Sequence, residues 1–226
     1  MKISTVKEII KNNSDEKILN YYNSLINKCN EISKECNFLG ILMLLIFLIN
    51  YIIDYSKLGS IEIGIIQIKD ANSIKIFFPL IFTFLILRYI VISAHKSEIN
   101  QILNIISQDF FNSSEDENKD NSVYFSVDDF SATFLPFSLY QEFSNVAKKG
   151  KSKLGCFGAI IIFPLSIILS ALPFLLDFYW IYKLILNWSE YNVIQKLSIF
   201  FTIWILFVIF YYIIHKAIIQ GKERIE

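Results

Sequence analysis

Four apolar windows in this sequence restrict the folds that the chain can adopt. They cover residues 38–53, 76–94, 156–176 and 197–214. Each is close to the ~20 mostly apolar residues that a helix needs to cross a bilayer. Because a segment inside lipid must satisfy its own backbone hydrogen bonds, each window predicts a helix. The predicted fold class is an all-α membrane protein with four transmembrane helices, helical cytoplasmic extensions, and a small cytoplasmic cap that is either helical or α+β.

The positions of lysine and arginine predict how these helices are oriented. All 21 basic residues except Arg88 lie outside the windows, and 15 of them lie in the N-terminal tail, the segment between the second and third windows, or the C-terminal tail. Basic residues are retained on the cytoplasmic side, so these three parts are expected there. The abundant Ile, Asn and Lys hint at an AT-rich bacterial genome. We therefore expect a multi-pass protein of the inner (cytoplasmic) membrane with both termini in the cytoplasm.

The windows divide the chain into five predicted parts. In order, these are cytoplasmic N-terminal helices (1–37), transmembrane helices 1 and 2 with a short external loop (38–95), a cytoplasmic helical extension with an acidic linker and a small cap (96–154), transmembrane helices 3 and 4 (155–218), and a cytoplasmic tail (219–226). Residues 112–122 are polar and aperiodic, which is typical of a linker. VYFSV, at 123–127, alternates as a strand does.

A heptad pattern precedes the first window. Apolar residues recur at alternating spacings of four and three, like the a and d positions of a coiled coil. We call them the stalk face: Ile18, Tyr22, Leu25, Cys29, Ile32 and Cys36. No Gly or Pro intervenes before Gly40, so this helix is expected to run directly into the first window. The stalk face then either packs on its own subunit or pairs between subunits as an oligomer interface.

The second window is also expected to continue beyond the membrane as one helix. Ile99, Ile102, Leu103, Ile106 and Phe110 follow the i, i+3, i+4 spacing of an amphipathic helix. With the predicted topology, this extension lies beside the stalk helix and runs antiparallel to it. The two apolar stripes would then bury each other as the core of the cytoplasmic part.

The loop after the first window contains SIEIGIIQI. Ile61, Ile63 and Ile65 alternate, and Ile66 and Ile68 then shift the alternation by one residue. This pattern predicts either a short strand pair or a single bulged strand.

Two carboxylates lie at the predicted outer ends of windows. Asp54 follows the first window and Asp177 follows the third. Each is either a boundary residue or part of an outer acidic ring that attracts cations to an oligomeric pore. Asn50, one turn deeper than Asp54, is expected to hydrogen-bond a neighbouring helix.

The third window carries a face of small residues. Gly158, Ser166 and Ser170 share this face, and Pro164 and Pro173 interrupt the window. Small residues let helices approach closely, while prolines leave carbonyl groups that need other partners. This face is predicted to be either a helix-packing seam or the lining of a pore.

Basic residues near the cytoplasmic ends are candidates for lipid or gating contacts. Arg88 lies about 9 Å inside the second window, a depth from which an arginine can snorkel to the surface. Arg88 either snorkels or bonds to backbone carbonyl groups, or it contacts lipid, an anion or a gate. KKGKSK contains Lys148, Lys149, Lys151 and Lys153. These lysines are either a topology signal alone or also hold anionic lipid.

Catalytic and metal-binding patterns are missing from the sequence. HExxH, GxSxG and P-loop motifs do not occur. His95 and His215 each precede a lysine at an inner window end, where they are boundary residues or a joint proton or metal site. The three cysteines are expected to be small buried residues in a reducing cytosol. We therefore expect no enzyme, no cofactor, and no catalytic or metal-binding residues.

Three functions are compatible with this pattern. The first is a homo-oligomeric, channel-like or membrane-perturbing effector coupled to a cytoplasmic stalk. The second is a non-conducting sensor or scaffold that docks a soluble partner on residues 96–154. The third is a small transporter or immunity-type protein with a site between spans. Expected partners are membrane lipids, further copies of the chain and such a soluble protein, but not nucleic acid, because the formal net charge is zero.

Overall fold

Helices make up nearly all of the chain that the computed structural model describes, which is residues 3–56, 61–63, 66–68, 75–110 and 153–223. They are α1 (Ile3–Lys11), α2 (Asp15–Ser56), α3 (Phe78–Phe110), α4 (Lys153–Leu186) and α5 (Val193–Glu223), with a 3-10 turn at Trp188–Glu190. The predicted helical character is confirmed in these ranges. The acidic linker and the strand predicted at 123–127 lie outside the described residues.

Helices α2 and α3 are each longer than a bilayer requires. The 42 residues of α2 span about 63 Å at the standard helical rise, roughly twice the thickness of a hydrocarbon core. Asp15 and Glu16 occupy its first turn, where negative charge favours the helix dipole. The stalk helix and the first window therefore form one helix, as predicted. The 33 residues of α3 likewise join the second window to its extension.

Three helices in the described part are long and apolar enough to cross a membrane. These segments are Asp15–Ile53 in α2, Phe78–Ser107 in α3 and Val193–Ile219 in α5. Their surfaces expose large apolar side chains that suit a lipid environment, including Phe207, which is 71% exposed. The window at 156–176 lies within α4. Most side chains of that window lie outside the described part, so the fourth span stays a prediction.

The chain divides into two compact units. The stalk unit comprises Met1–Phe38, Ile90–Pro136 and Ile213–Glu226, and the span unit comprises Leu39–Tyr89 and Phe137–Tyr212. Helices α2, α3 and α5 each contribute residues to both units.

The stalk unit has one apolar core built by α1, α2 and α3. Its buried members are Val6, Ile10, Ile18, Leu25, Cys29, Ile32, Ile99, Leu103 and Ile106. The two predicted stripes therefore do pack on each other. Helix α1 adds Val6 and Ile10, which close the third side of this core.

Two side-chain hydrogen bonds give the direction of the packing between α2 and α3. The Tyr22 and Ser107 hydroxyl groups are 3.1 Å apart, and the Cys29 thiol donates to Asn100 Oδ1 over 3.2 Å. Cys29 follows Tyr22 by seven residues on α2, whereas its partner Asn100 precedes Ser107 by seven residues on α3. The antiparallel arrangement predicted from the topology is thus confirmed.

Aromatic contacts organise the span unit. Phe82 on α3 meets Trp180 on α4 edge to face, with ring centroids 5.1 Å apart, and both side chains are buried. Phe210 on α5 packs against Phe174 and Phe178 on α4, with centroid distances of 6.0 and 6.3 Å. Such pairs add to the stabilisation from apolar burial alone.

A short hairpin follows α2. Strand β1 (Ile61–Ile63) pairs antiparallel with β2 (Ile66–Ile68), so that Ile61 faces Ile68 and Ile63 faces Ile66. Of the two alternatives for this loop, the strand pair is therefore confirmed.

Candidate functional site

The stalk face is covered within its own subunit. Four of its six residues are buried in the core of the stalk unit, and Tyr22 and Cys36 are half-buried against that core. Of the two interpretations of the heptad pattern, packing on the same subunit describes this fold. An interface between subunits would use this face only after α3 had been displaced from it.

The thiol of Cys29 is part of this packing. Its side chain is 0% exposed and donates to Asn100, while Ser33 Oγ donates to the carbonyl oxygen of Cys29 over 2.8 Å. A buried thiol behaves as a small apolar residue with a weak donor. That was the expectation for the cysteines, and it is confirmed for Cys29.

A buried carboxyl group lies between α3 and α4 in the span unit. Asp177 and Thr83 are both 0% exposed. Thr83 Oγ1 is 2.6 Å from Asp177 Oδ2 and 2.7 Å from the carbonyl oxygen of Pro79. Among the described residues, Asp177 Oδ1 has no hydrogen-bond partner. Ionisable groups among membrane helices are costly, and they commonly mark a functional site.

The hydroxyl group of Thr83 has one proton for two acceptors. It donates either to Pro79, the local bond that hydroxyl groups often form within helices, or to the carboxylate. When Asp177 is protonated, its carboxyl group donates to Thr83 and Thr83 donates to Pro79, so both bonds form together.

The burial of Asp177 bears on the prediction that this residue belongs to an outer acidic ring. The Asp177 carboxyl group is enclosed by its own subunit, and it would face a pore between subunits only if its contact with Thr83 opened. The side chain of Asp54 lies outside the described residues, so its place in a ring stays a prediction.

A cavity of about 690 Å³ lies in the span unit, at its predicted outer end. Its polar lining includes Asn50, Lys75, Lys183 and Glu190. The side chain of Asn50 is 4% exposed, and its Oδ1 atom has no hydrogen-bond partner among the described residues. The interhelical hydrogen bond expected of Asn50 is therefore not made by that oxygen.

Lys75 and Lys183 are the two cationic side chains in the lining of this cavity. Burial, and then the positive charge of Lys183, lower the pKa of Lys75 from its ordinary value. The Nζ atom of Lys183 lies 5.3 Å from the centroid of the Tyr179 ring. A cation over an aromatic face is attracted to it, so Tyr179 helps to position this ammonium group.

Apolar side chains form the other walls of the cavity. Ile76 and Pro79 line it from the α3 side, and Trp180, Leu184 and Leu186 line it from α4. Thr83 is one turn beyond Pro79 on α3. The Asp177–Thr83 pair therefore lies one helical turn deeper than these walls.

The rim of the cavity is fixed by a reciprocal cap at the start of α5. Asn192 N donates to Gln195 Oε1 and Gln195 N donates to Asn192 Oδ1, both over 3.0 Å. This is the geometry of a capping box, which satisfies two backbone donors at a helix N-terminus. Gln195 also lines the cavity, so the cap holds part of the wall in place.

An ion cluster joins α3 to α5 in the stalk unit. Lys216 Nζ donates to Glu98 Oε1, and His95 Nδ1 lies 3.8 Å from Glu98 Oε2. The side chain of His95, predicted to be a boundary residue or part of a proton or metal site, therefore lies near a carboxylate group. His215 also makes interactions within the fold.

The remaining predicted residues are placed only in part. Arg88 lies on an exposed part of α3 and makes interactions there. On α4, Pro164 is exposed and Pro173 is half-buried. The other predicted lipid, gating and small-face side chains lie outside the described residues: Lys148, Lys149, Lys151, Lys153, Gly158, Ser166 and Ser170.

Sequence reasoning missed Thr83, Glu98 and the roles of Lys75 and Lys183. A single threonine in an apolar window carries little signal, and its bond to Asp177 crosses 94 positions of sequence. The two lysines were counted only as topology signals. They were flanked by apolar windows, and this could have suggested a shared boundary site.

The described residues contain no group of three His, Cys, Asp or Glu side chains that could hold a metal ion. No protein-family model, curated protein or solved structure matches the chain. Functional inference therefore depends on the geometry of the two units.

Proposed function

We propose that this chain is a non-catalytic, four-span protein of the bacterial inner membrane that forms a homo-oligomeric, channel-like or membrane-perturbing effector. The observation that carries the proposal is the buried Asp177–Thr83 pair, in which Thr83 lies on α3, a helix able to cross a membrane, and Asp177 lies on α4. A buried ionisable group of this kind is common along ion and proton pathways and rare in purely structural membrane helices.

The proposed assembly uses the membrane helices rather than the stalk face, since that face is already buried inside the subunit. The small-residue face of α4 is the candidate packing or pore face, because Gly158, Ser166 and Ser170 would permit close approach. Arg88 and the KKGKSK lysines are the candidate lipid and gating contacts.

Control from the cytoplasm is part of the same proposal. Helices α2, α3 and α5 each belong to both the stalk unit and the span unit. A binding event on the stalk unit can bias the membrane part if the two states differ in how it packs these helices.

The test is a mass measurement in mild detergent followed by conductance of the same sample in planar bilayers. We expect an oligomer that conducts, and Asp177→Asn should change conductance or its ion selectivity by several-fold. Asp54→Asn is the matched carboxylate control. An effect of both variants would favour the outer ring, and an effect of Asp177→Asn alone would favour the internal pair. A strict monomer without conductance would rule out the proposal.

The outer cavity favours a second candidate, a small transporter or immunity-type protein with a ligand site between spans. Its volume of about 690 Å³ falls within the usual range for ligand pockets. This candidate needs no oligomer. It predicts ligand-dependent thermal stabilisation in a monomeric sample. The sensor alternative instead predicts that a partner is captured by the full chain and lost when residues 111–152 are deleted.

A further inference from the structure

The Asp177–Thr83 pair is sealed inside the span unit by an aromatic contact. Asp177 and Thr83 are both 0% exposed. Phe82 precedes Thr83 on α3, and Trp180 lies about one turn beyond Asp177 on α4. Their rings pack edge to face with centroids 5.1 Å apart, and both side chains are buried. The same α3–α4 contact therefore holds the carboxyl group and closes it off from water.

The Asp177 carboxyl group has too few donors around it to be stable as an anion. An ionised carboxylate accepts hydrogen bonds at both oxygen atoms. Oδ2 has the Thr83 hydroxyl as its partner, and Oδ1 has none among the described residues. A buried charge without matching donors is much more costly than a buried neutral group, so such an acid takes up a proton instead. An apolar site can in this way keep a carboxylic acid neutral at neutral pH.

Neighbouring charges do not compensate an anion at this position. Helix α2 carries no charged residue between positions 39 and 53. The other charged groups among the described side chains of the span unit form no ion pair with Asp177. These groups are Lys75 and Arg88 in and before α3, Lys183 on α4, Glu190 in the following turn, and Lys196 on α5.

The carbonyl oxygen of Pro79 adds a second reason for a proton. Thr83 Oγ1 lies 2.7 Å from this oxygen and 2.6 Å from Asp177 Oδ2, but a hydroxyl group has one proton to donate. If Asp177 were ionised, Thr83 would have to donate to the carboxylate and would leave Pro79. With a proton on Asp177 Oδ2, the carboxyl group donates to Thr83 and Thr83 donates to Pro79. The proton thus completes a chain of two hydrogen bonds across the contact.

We infer that Asp177 is a proton-binding site whose occupancy controls the packing of α3 against α4. With the proton bound, the two helices stay in contact at Phe82 and Trp180. Deprotonation transfers the proton to water and leaves a carboxylate that needs further donors, which water can supply only where this contact separates. The closed packing therefore binds more protons than the open packing, so its stability falls as the pH rises.

This inference builds on the proposed function, which rests on the same pair, but its tests need neither conductance nor an oligomer. A monomeric sample that does not conduct would end the proposed function. The proton-binding site would stand or fall by the spectroscopic results on that same sample.

Infrared spectroscopy of the full-length protein in mild detergent detects the proton directly. The carbonyl stretch of a protonated carboxyl group is separate from the bands of a carboxylate, and exposed Asp and Glu are ionised at neutral pH. We expect the signal of a protonated carboxyl group at neutral pH. Asp177→Asn should remove this signal, and Asp54→Asn, the matched carboxylate control, should leave it. No such signal in the parent protein, or an equal signal in Asp177→Asn, would overturn the inference.

Trp180 reports whether the contact opens. The other two tryptophans, Trp188 and Trp204, are exposed, so replacing both with phenylalanine leaves only the buried ring. We expect the emission of Trp180 to move to longer wavelength as the pH rises, because water then reaches it. Asp177→Asn should abolish this change, since its amide donates to Thr83 at every pH.

Lys75→Gln is the control for the fluorescence titration. Lys75 lines the same cavity as Trp180, and it too can lose a proton at alkaline pH. The change in emission should persist in this variant. A change that is lost in Lys75→Gln and kept in Asp177→Asn would assign the titration to the lysine and overturn the inference.

Thr83 variants test the hydrogen-bond chain. Thr83→Val removes the hydroxyl group but keeps a branched side chain of similar shape. The ionised carboxylate should lose more than the neutral acid, so the proton should be held roughly tenfold more tightly, and the midpoint of the fluorescence change should rise by about one pH unit. Thr83→Ser keeps the hydroxyl group and should restore the parent midpoint. An unchanged midpoint in Thr83→Val would contradict the inferred chain.

Discussion

Replacing Tyr22 with phenylalanine should loosen the helix pair of the stalk unit by a predictable amount. The Tyr22 hydroxyl is 3.1 Å from the hydroxyl of Ser107, whose side chain is 0% exposed. Phenylalanine keeps the ring packing but leaves the Ser107 hydroxyl buried without this partner. Such a loss costs about 1–3 kcal/mol. We expect the lower part of that range, about 1–2 kcal/mol, because the bond itself is only partly buried.

Cys29 provides a built-in reporter for this opening. Its thiol is 0% exposed and lies one heptad from Tyr22 in the same interface. In a background with Cys36→Ser and Cys156→Ser, a maleimide can modify Cys29 only when the helix pair opens. A change of 1–2 kcal/mol should therefore raise the labelling rate of the native protein by roughly 5- to 30-fold.

A double-mutant cycle separates this contact from general loosening. Ser107→Ala alone should have a smaller effect, because the half-buried Tyr22 hydroxyl can still reach water. In the double variant neither hydroxyl is left without its partner. Its loss of stability should therefore be smaller than the sum of the losses in the two single variants, by a coupling energy of about 1 kcal/mol. Tyr21→Phe is the matched control, since Tyr21 is 46% exposed. An unchanged labelling rate in Tyr22→Phe, or strict additivity, would refute the argument.

Three further predictions concern other contacts. Asn100→Cys should form a disulfide with Cys29 within one chain, seen as an altered monomer band on a non-reducing gel; a disulfide-linked dimer would contradict packing within the subunit. Glu98→Gln should lower the melting temperature only slightly, because its ion pair with Lys216 is partly exposed and such pairs contribute about 0–1 kcal/mol; a drop of more than 10 °C would refute this. Arg88→Leu should resist alkaline extraction from membranes like the parent protein; loss of insertion would show that the arginine is needed for topology.

The sequence predicted the long helices because their periodicity and charge pattern are local properties. The heptad spacing from Ile18 to Cys36 and the stripe from Ile99 to Ile106 fixed which side of each helix is apolar. The basic residues predicted that both segments lie on one side of the membrane, and antiparallel packing followed from that prediction. The same spacing could not distinguish a helix of the same subunit from one of another, because either partner buries an identical stripe.

The polar contacts could not be predicted for a different reason. The Asp177–Thr83 bond depends on the rotation of α3 against α4, and periodicity within an almost wholly apolar window does not fix that rotation. Glu98 looked like one more surface charge, yet its partner Lys216 is 118 positions away. Asn50 was expected to hydrogen-bond a neighbouring helix, but its place in the lining of a cavity depends on the surrounding side chains.

The two polar contacts of the stalk pair also limit how α2 and α3 can slide. Tyr22–Ser107 and Cys29–Asn100 are one heptad apart on both helices, so a slip of one or two residues breaks both bonds together. A slip of a whole heptad, about 10 Å, would instead bring Tyr22 opposite Asn100, and polar would again face polar. Axial sliding of α2 along α3 is therefore expected to occur in steps of one heptad and not continuously. The stalk can then adopt two discrete positions.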